Sequence, residues 1–571
     1  MPSTADPSAP CASPDPRRRY SDLAIAAVPR LLTLVDRNPY SPAYGCFDRA
    51  YWHYRTMDFP CGMAQEFVLP LALVYARPYP DNPYHQQERV RELALAGVDF
   101  ARRSAHRDGS CDDYFPFERA LGAAVFSLYA CAETCLVLNE RRPEHLEFFA
   151  RRGDWLLANN ESGRLANHQA LAALALQNVY ELTGDARFAE GRDRYLRIVR
   201  DWQSDEGWFQ EYEGADPGYH SCTISFLAKL MKKTEGTPVA ERILAMLRPA
   251  VDFAWHFMHP DGSYAGEYGS RNTYHFYPHG FELMAPHEEK AGQIADRFLL
   301  RAIPRGTRYF NDDDRMCAHY LYDWLHAHED YHPERPAPLD ARPNFTRHFP
   351  KARLLVRKTD RYYAVVGLAK GGVIKVTNKE GPVYSDTGLI GRLADGRVVV
   401  SHLMDERDSS VDVATAPIQA RVAGCFSERR ANLPTPFRQA IFRLLNLTLG
   451  RFAPQLMRRM LQEILITGKR RTEIKFERRV LLGESDIEIV DEIVLPHGAA
   501  RGGRGGFAFL HLGSDATSIY VANSNTYQRS VLLPWQDLGH LIERLNETGR
   551  ATHRHWAVAP PEASERTDGG S

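Results

Sequence analysis

The sequence lacks any apolar run long enough to cross a bilayer, for which roughly 20 residues are needed. It also lacks net charge of either sign, because 71 Lys and Arg residues balance 72 Asp and Glu residues among 571. A near-neutral chain has no overall attraction to nucleic acid or to an acidic polymer, so such binding would need a local patch. We therefore expect no transmembrane segment and no nucleic-acid partner.

Motifs for metal, phosphate and disulfide chemistry are also missing. The chain contains no HExxH pair, no CxxC pair and no phosphate-binding Gly loop. Its nine scattered cysteines suit free thiols in a reducing compartment better than a disulfide framework. The apolar stretch 23–28 ends at Pro29 and is shorter than the core of a signal peptide. We expect no metal, no other cofactor and a cytoplasmic location.

Helical periodicity dominates residues 20–335. Apolar segments recur there, and several are apolar on all sides, as in helices buried between neighbours. Four acidic-Gly turns separate them, at intervals of 53, 44 and 56 residues; they are 108–110, 161–163, 205–207 and 261–263. Such a repeat indicates stacked helix pairs whose turns fall on one side. It favours an N-terminal (α/α) toroid over an open solenoid.

The pattern changes after a proline-rich linker at 336–350. Short segments then alternate polar and apolar residues, as in Glu473–Glu477, and polar or Gly-rich turns separate them. This pattern predicts an antiparallel β-sandwich over 351–558. Residues 1–19 and 559–571 have the composition of disordered tails.

A helical segment at 434–471 interrupts the strands. It contains eight Arg and Lys residues and one acid, Glu463. A basic amphipathic insertion can make a peripheral membrane contact or meet an anionic partner. A helical hairpin packed on the sandwich, with a solvated basic face, explains the same pattern.

The stretch DEGWFQEYEGADPGYH, residues 205–220, joins an acidic Gly turn to an aromatic patch and a helix start. Asp216 is a good N-cap, and Pro217 suits the first helical turn. Tyr219 and His220 would then lie at a helix N-terminus, where backbone N–H groups favour negative charge. The stretch can hold a carboxylated sugar, or it can be a capped helix with two polar aromatics.

A second motif, Asn167-His168, opens the apolar run that ends at Gly184. Asn167 suits an N-cap and Gly184 a C-cap, which predicts a helix over 168–183 without any function. However, an imidazole at the start of so apolar a helix is costly unless it has a partner. The motif also lies one repeat before Tyr219, so both can face one cleft.

The following repeat opens with EYGSRNTYH, residues 267–275. Arg271 is the preferred candidate in this segment for binding a substrate carboxylate. Tyr274 and His275 are further candidates for substrate contact. A structural turn with surface aromatics would produce the same pattern.

Helical repeats before a β-sandwich, an Asn-His pair and a Gly-Tyr about 50 residues later resemble the heparinase II/III and alginate lyase-like families. Those families pair an (α/α) toroid with an antiparallel β domain. Their members cleave uronic-acid polysaccharides by β-elimination or epimerise the uronate at C5. The resemblance implies that Asn167 neutralises the substrate carboxylate, His168 is a base, and Tyr219 is an acid or base. It also implies that a His of the β domain reaches the cleft; His402, at a strand end, is the candidate.

The sequence departs from that pattern at two positions. Ala166 stands where the lyases often have a first Asn, and Leu171 where an Arg often follows the His by one turn. Carboxylate recognition must therefore differ, or the activity has changed.

Four functions stay open at this point. One is a lyase acting on an acidic polysaccharide or oligosaccharide, and another is a uronyl C5-epimerase acting on a glycan under assembly. A third is a non-catalytic glycan-binding assembly factor. The fourth is an (α/α) glycosidase with paired carboxylates, drawn from Asp205, Glu211, Glu213, Asp216 and Glu267. The sequence specifies neither the glycan nor the oligomeric state.

Overall fold

The computed structural model describes residues 15–161, 163–304, 317–402, 408–429, 433–462, 470–497, 505–514 and 533–561. Its N-terminal part is helical, and its C-terminal part consists of antiparallel strands, which confirms the predicted fold class. None of the helices in these ranges is both long and apolar enough to cross a membrane.

The N-terminal part alternates long helices with short connections. Its helices are α1 Arg18–Leu34, α2 Arg49–Trp52, α3 Val68–Ala76, α4 Glu88–Ser104, α5 Leu121–Val137, α6 Pro143–Ala158, α7 Ala166–Thr183, α8 Ala186–Asp201, α9 Pro217–Lys233, α10 Pro238–Trp255, α11 Pro278–Met284, α12 Glu289–Arg297 and α13 Cys317–Glu329. A short hairpin of β1 Gln210–Glu211 and β2 Gly214–Ala215 precedes α9.

An inner ring of helices closes on itself. Helices α3, α5, α7, α9, α11 and α13 contact one another in this order, and α13 returns to α3. Helices α1, α4, α6, α8, α10 and α12 each pack against one or more members of the ring. Because neighbours cover an inner helix on all sides, Ala170–Leu176 of α7 is fully buried.

All inner helices begin on one rim, because each outer helix carries the chain back across the ring. The four acidic-Gly turns lie in the connections α4–α5, α6–α7, α8–α9 and α10–α11. They therefore share one side of the toroid, as the repeat predicts. Gly109 and Gly207 have φ of 89° and 96°, and a Cβ on either would strike the backbone of a neighbouring helix.

The C-terminal part contains two sheets. Its strands are β3 Phe345–Phe349, β4 Leu354–Lys358, β5 Tyr363–Gly367, β6 Val373–Asn378, β7 Gly381–Asp386, β8 Leu389–Leu393, β9 Val398–Val400, β10 Asp408–Asp412, β11 Ile418–Arg429, β12 Arg470–Leu482, β13 Ile487–Val494, β14 Phe507–Leu512, β15 Gln536–Asp537 and β16 Arg550–Val558. Strands β3 to β7 pair in chain order as one sheet. The other sheet has the order β15-β14-β8-β9-β11-β12-β13-β16, with β10 paired to β11.

The five-stranded sheet is buried on both faces. Val365 packs in the core shared with the toroid, whereas Val366 packs in the core shared with the second sheet. This two-sided burial explains why β5 reads YAVVG, with every residue buried, rather than alternating.

Two segments differ from the predicted boundaries. Strand β3 begins at Phe345, inside the predicted linker, because Phe345 and Phe349 pack on the toroid residues Trp255 and Phe253. Helix α1 begins at Arg18, within the predicted tail, while residues 1–14 and 562–571 lie outside the described residues.

The predicted basic insertion is a helical hairpin. It consists of α14 Pro436–Leu445, a π-helical turn Asn446–Gly450 and α15 Pro454–Gln462. Residues 463–469 lie outside the described residues, and β12 begins at Arg470. A further helix, α16 Gly539–Thr548, packs on β14 and β16.

Candidate functional site

Polar side chains meet on the rim where the inner helices begin. They are Glu66 just before α3, Asn167 and His168 in α7, Tyr219 in α9, His275 just before α11 and His319 in α13. The toroid repeat thus delivers side chains that are far apart in sequence to one place.

Asn167, Tyr219 and Arg271 form a connected cluster around Glu211. Asn167 donates to Glu211 Oε1 from Nδ2 at 2.8 Å and from its backbone N–H at 3.0 Å. Arg271 Nη1 donates to Oε2 of the same carboxylate at 3.0 Å. The guanidinium carbon of Arg271 lies 3.5 Å from the centroid of the Tyr219 ring. The structure brings these side chains together, while their catalytic roles stay predictions.

Asn167 does not cap α7, although the sequence predicts that it does. The helix begins one residue earlier, at Ala166, and the cap position is Leu165. The Asn167 side chain instead reaches Glu211, which fixes the plane of the amide. Its Oδ1 is buried without a hydrogen-bond partner among the described residues, an arrangement that a ligand would relieve. The predicted C-cap is confirmed, because Gly184 has φ of 72°.

His168 is held by a carboxylate to which the sequence assigned no role. Its Nδ1 lies 2.9 Å from Oε1 of Glu161, in the turn before α7. A carboxylate only accepts hydrogen bonds, so Nδ1 carries the proton and Nε2 is the basic nitrogen. The side chain of His168 is 17% exposed, which leaves it accessible to a ligand. The sequence does place an acid, Glu161, in the turn before His168. A structural turn explains an acid at that position equally well, so the sequence does not identify it as the partner of His168.

Gly122, at the start of α5, makes room for the imidazole of His168. A Cβ at Gly122 would lie 2.9 Å from Cε1 of His168, closer than side chains approach. On the other side, the ring packs edge-on against Phe126, with 5.8 Å between centroids. The ring orientation is therefore fixed by α5 as well as by Glu161.

Asp216 fixes Tyr219 and Arg271 relative to each other. As predicted, it caps α9, accepting from the Tyr219 N–H at 3.0 Å, and Pro217 occupies the first helical turn. Its Oδ2 accepts from the Arg271 N–H at 2.9 Å, and its Oδ1 also accepts from the Thr273 hydroxyl. One carboxylate therefore joins two successive repeats.

One buried imidazole, that of His275, lies beside Tyr219. The ring of His275 packs edge-on against Tyr219 at 4.8 Å, and its Nδ1 hydrogen-bonds with the Tyr320 hydroxyl. Burial, helped by the nearby charge of Arg271, lowers the pKa of His275 and keeps the ring neutral.

His319 and Glu66 complete the group and were missed by the sequence analysis. His319 Nδ1 hydrogen-bonds with Glu66, and its ring stacks on Phe126 with 4.3 Å between centroids. Both residues lie at inner-helix starts that the four acidic-Gly turns do not mark. Extending the repeat to α3 and α13 would have found them.

His220 packs away from this cluster, and its binding of substrate stays a prediction. It is fully buried between Phe209 and Phe253, and its Nε2 lies 2.8 Å from the carbonyl of Ala250. Burial lowers the pKa of His220 to about 4. Adjacent residues of a helix point in different directions, so Tyr219 faces the site while His220 packs α9 against α10.

Tyr274 and His402 are both buried, and Tyr274 lies where the toroid meets the sandwich. Tyr274 is 2% exposed, and the ammonium of Lys375 lies 4.6 Å from its ring centroid. His402 is 5% exposed, and burial lowers its pKa to about 3. Substrate contact by either residue stays a prediction.

Three of the five carboxylates considered for a glycosidase already have other partners. Glu211 holds Asn167 and Arg271, and Asp216 caps α9. Asp205 is exposed and pairs with Lys351 at 2.8 Å. Burial raises the pKa of Glu211, and the charge of Arg271 opposes that shift. In the described part of the chain, no three His, Cys, Asp or Glu residues are grouped to bind a metal ion.

Solved structures with the same fold exist, although no protein-family model and no curated protein sequence match this chain. Chondroitin AC lyase of Streptomyces coelicolor A3, in complex with chondroitin sulphate, is similar with a TM-score of 0.58 and 12% identity over 99% of this chain and 82% of its own. Paenibacillus xanthan lyase is similar with a TM-score of 0.53 and 10% identity over 88% of this chain. The match spans 47% of the xanthan lyase. At these identities the similarity establishes the fold alone.

Proposed function

We propose that this chain is a polysaccharide lyase of the heparinase II/III-like and alginate lyase-like kind. It would act on uronic-acid glycans by removing the C5 proton and eliminating the group at C4. The observation that carries the proposal is that Asn167 and Arg271 share the carboxylate of Glu211, with Tyr219 against Arg271 and His168 next to Asn167 in the first turn of α7. The fold shared with two solved polysaccharide lyases supports it.

Asn167 and Arg271 bind the uronate carboxylate in this proposal. Loss of the C5 proton spreads further negative charge into that carboxylate, and positioned donors stabilise this charge. Glu211 accepts from both side chains and so orients them before substrate arrives.

His168 and Tyr219 transfer the protons. Nε2 of His168 takes the C5 proton, since Glu161 holds the proton on Nδ1. The electrons of the C5–H bond form the C4–C5 double bond as the C4–O4 bond breaks. The Tyr219 hydroxyl donates its proton to the departing O4, and the Arg271 guanidinium, 3.5 Å from the ring centroid, stabilises the resulting phenolate.

A uronyl C5-epimerase is the second candidate. Its chemistry needs two proton-transfer groups, and His168 and Tyr219 are two such groups on different helices. In that reaction the C5 carbanion is reprotonated from its other side and the C4–O4 bond stays intact.

A screen of uronate oligosaccharides distinguishes these functions. Glucuronate-, galacturonate- and mannuronate-containing substrates are incubated in heavy water, and two signals are followed. A lyase produces ultraviolet absorbance from the conjugated double bond, whereas an epimerase incorporates deuterium at C5 without that absorbance. New reducing ends without either signal would indicate a glycosidase and contradict the proposal. Asn167→Ala serves as the inactive control.

Gly122→Ala should reduce turnover of the substrate found in that screen by about 10²-fold, because it displaces the His168 ring from its reacting position. The added methyl group meets an imidazole and not the backbone, so the fold should persist. Turnover and circular dichroism of the two proteins provide the measurement.

Gly450→Ala is the matched control for that change. Its Cβ would lie 3.4 Å from its nearest neighbour, Asn446 Oδ1, which is an ordinary contact. Wild-type turnover in Gly122→Ala would show that the ring position of His168 does not matter to the reaction.

A further inference from the structure

The helical hairpin at 433–462 is a surface that the proposed chemistry does not use. No residue of α14 is buried. Its side chains Phe437, Ile441, Leu444 and Leu445 are 75%, 44%, 63% and 39% exposed. Their spacing places them along one face of the helix. A contiguous exposed apolar face of this kind marks an interaction site.

The rest of the hairpin extends this apolar surface. In the connection, Leu447 and Phe452 are 50% and 83% exposed, and on α15 Leu456 and Met460 are 50% and 43% exposed. Among the described residues, no Phe or Trp is more exposed than those at 437 and 452. The apolar side chains therefore continue over both helices.

The opposite face of the hairpin is already used, because it packs on the toroid. Phe442 packs edge-on against Phe115 at 5.7 Å, and Met457 is buried. Two ion pairs anchor the same contact: Arg443 with Asp58 at 2.7 Å, and Arg458 with Glu118 at 3.5 Å. The exposed apolar side chains thus lie away from the toroid on a supported hairpin.

The charge of the hairpin has one sign. Residues 433–462 contain five Arg and no Asp or Glu. Arg438 and Arg459 are exposed on the hairpin. Arg451 is exposed as well, but its guanidinium carbon lies 5.7 Å from the ring centroid of Phe117 on the toroid. The surface therefore combines large apolar groups with guanidinium groups, which bind phosphate well.

We propose that this hairpin docks on the surface of an anionic phospholipid bilayer. The apolar side chains enter the boundary between headgroups and acyl chains, and the Arg side chains meet lipid phosphates. A second copy of the chain fits less well, since it would bring the Arg side chains of two hairpins together without acids. An anionic polysaccharide would pair with the Arg side chains but leave Phe437 and Phe452 in water.

Vesicle flotation of the full chain tests the proposal. Vesicles of phosphatidylcholine alone are compared with vesicles that also contain phosphatidylglycerol. We expect binding to the anionic vesicles that weakens as salt is added. Phe437→Ser with Phe452→Ser should weaken binding roughly 10- to 100-fold, because two large apolar side chains are lost. Arg438→Gln with Arg459→Gln should reduce the preference for anionic lipid.

Strand β16 offers matched controls at the far edge of the sandwich. Trp556 is 45% exposed, and the side chains of Arg550 and Arg554 are 66% and 68% exposed. Trp556→Ser with Arg550→Gln and Arg554→Gln should leave vesicle binding unchanged. Circular dichroism confirms that each variant is folded.

A probe on the hairpin provides an independent measurement. Leu444→Cys carries an environment-sensitive fluorophore in a Cys11→Ser background, since the eight cysteines that the structure describes are buried. The emission should shift to the blue on adding anionic vesicles. No binding to anionic vesicles, or equal loss of binding in the β16 variant, would overturn the proposal. Two other results would also overturn it. One is a dimer in solution that Phe437→Ser with Phe452→Ser abolishes. The other is binding to an anionic polysaccharide that the Arg→Gln changes abolish and the Phe→Ser changes leave intact.

Discussion

Tyr219→Phe should reduce turnover of the uronate substrate by about 10²–10⁴-fold while most substrate affinity is kept. The change removes one hydroxyl and leaves the ring, whose contacts with Arg271 and His275 involve its face and edge. The proton that O4 needs then has no donor at this position. Turnover and KM of the purified variant are compared with those of the wild type.

Tyr195→Phe is the matched control. Tyr195 is buried on α8, and its hydroxyl donates to the Leu156 carbonyl at 2.8 Å, so the same chemical change should cost stability without affecting turnover.

His168→Ala should reduce turnover by a factor similar to that of Tyr219→Phe. The double variant should be little worse than the poorer single one, because both groups act on one transition state. Wild-type turnover in Tyr219→Phe would end both the lyase and the epimerase assignments.

The repeated features of the sequence predict the helix pairs and the rim that they share. The acidic-Gly turns indicated helix pairs and one common rim, and Asp216-Pro217 correctly marked the start of α9. These features are local, because a turn or a cap depends on residues next to each other in the chain. Periodicity and capping therefore sufficed for the architecture and for candidate positions on the rim.

The partners of the site residues could not be predicted in the same way. His168 with Glu161 and Asn167 with Glu211 join residues whose rotamers depend on the packing of neighbouring helices. The direction of the His220 side chain has the same origin, since one step along α9 turns a side chain from the rim to the outer layer. Helix pattern gives a position, whereas the direction of a side chain follows from the contacts around it.

In the sandwich, burial by the toroid is a second reason why the sequence alone does not predict the local structure. Strand β5 is apolar throughout because the toroid covers one face of its sheet, and nothing within β5 indicates that cover. Phe345 and Phe349 likewise form a strand within a proline-rich segment because aromatic residues of the toroid pack on them. Contacts between domains thus decide local structure that composition assigned to a linker.

One buried ion group holds the two sheets of the sandwich together. Arg478 on β12 donates to both oxygens of Asp491, its cross-strand neighbour on β13, at 2.6 and 2.7 Å. Its Nη1 lies 2.9 Å from Asp386 at the end of β7, in the other sheet. All three side chains are fully buried, and the two carboxylates raise the pKa of Arg478 despite its burial.

Arg478→Met should destabilise the chain by about 3–5 kcal/mol, because it leaves two buried carboxylates without a cation. Arg554→Met is the control on the same sheet: its side chain is 68% exposed and pairs with Glu488, so its loss should cost less than about 1 kcal/mol. Chemical denaturation followed by circular dichroism measures both.

Adding Asp386→Leu and Asp491→Leu to Arg478→Met should restore much of the stability, since an apolar group of similar volume replaces a buried ion group at little cost. Equal midpoints for Arg478→Met and Arg554→Met would show that the buried group does not hold the two sheets together.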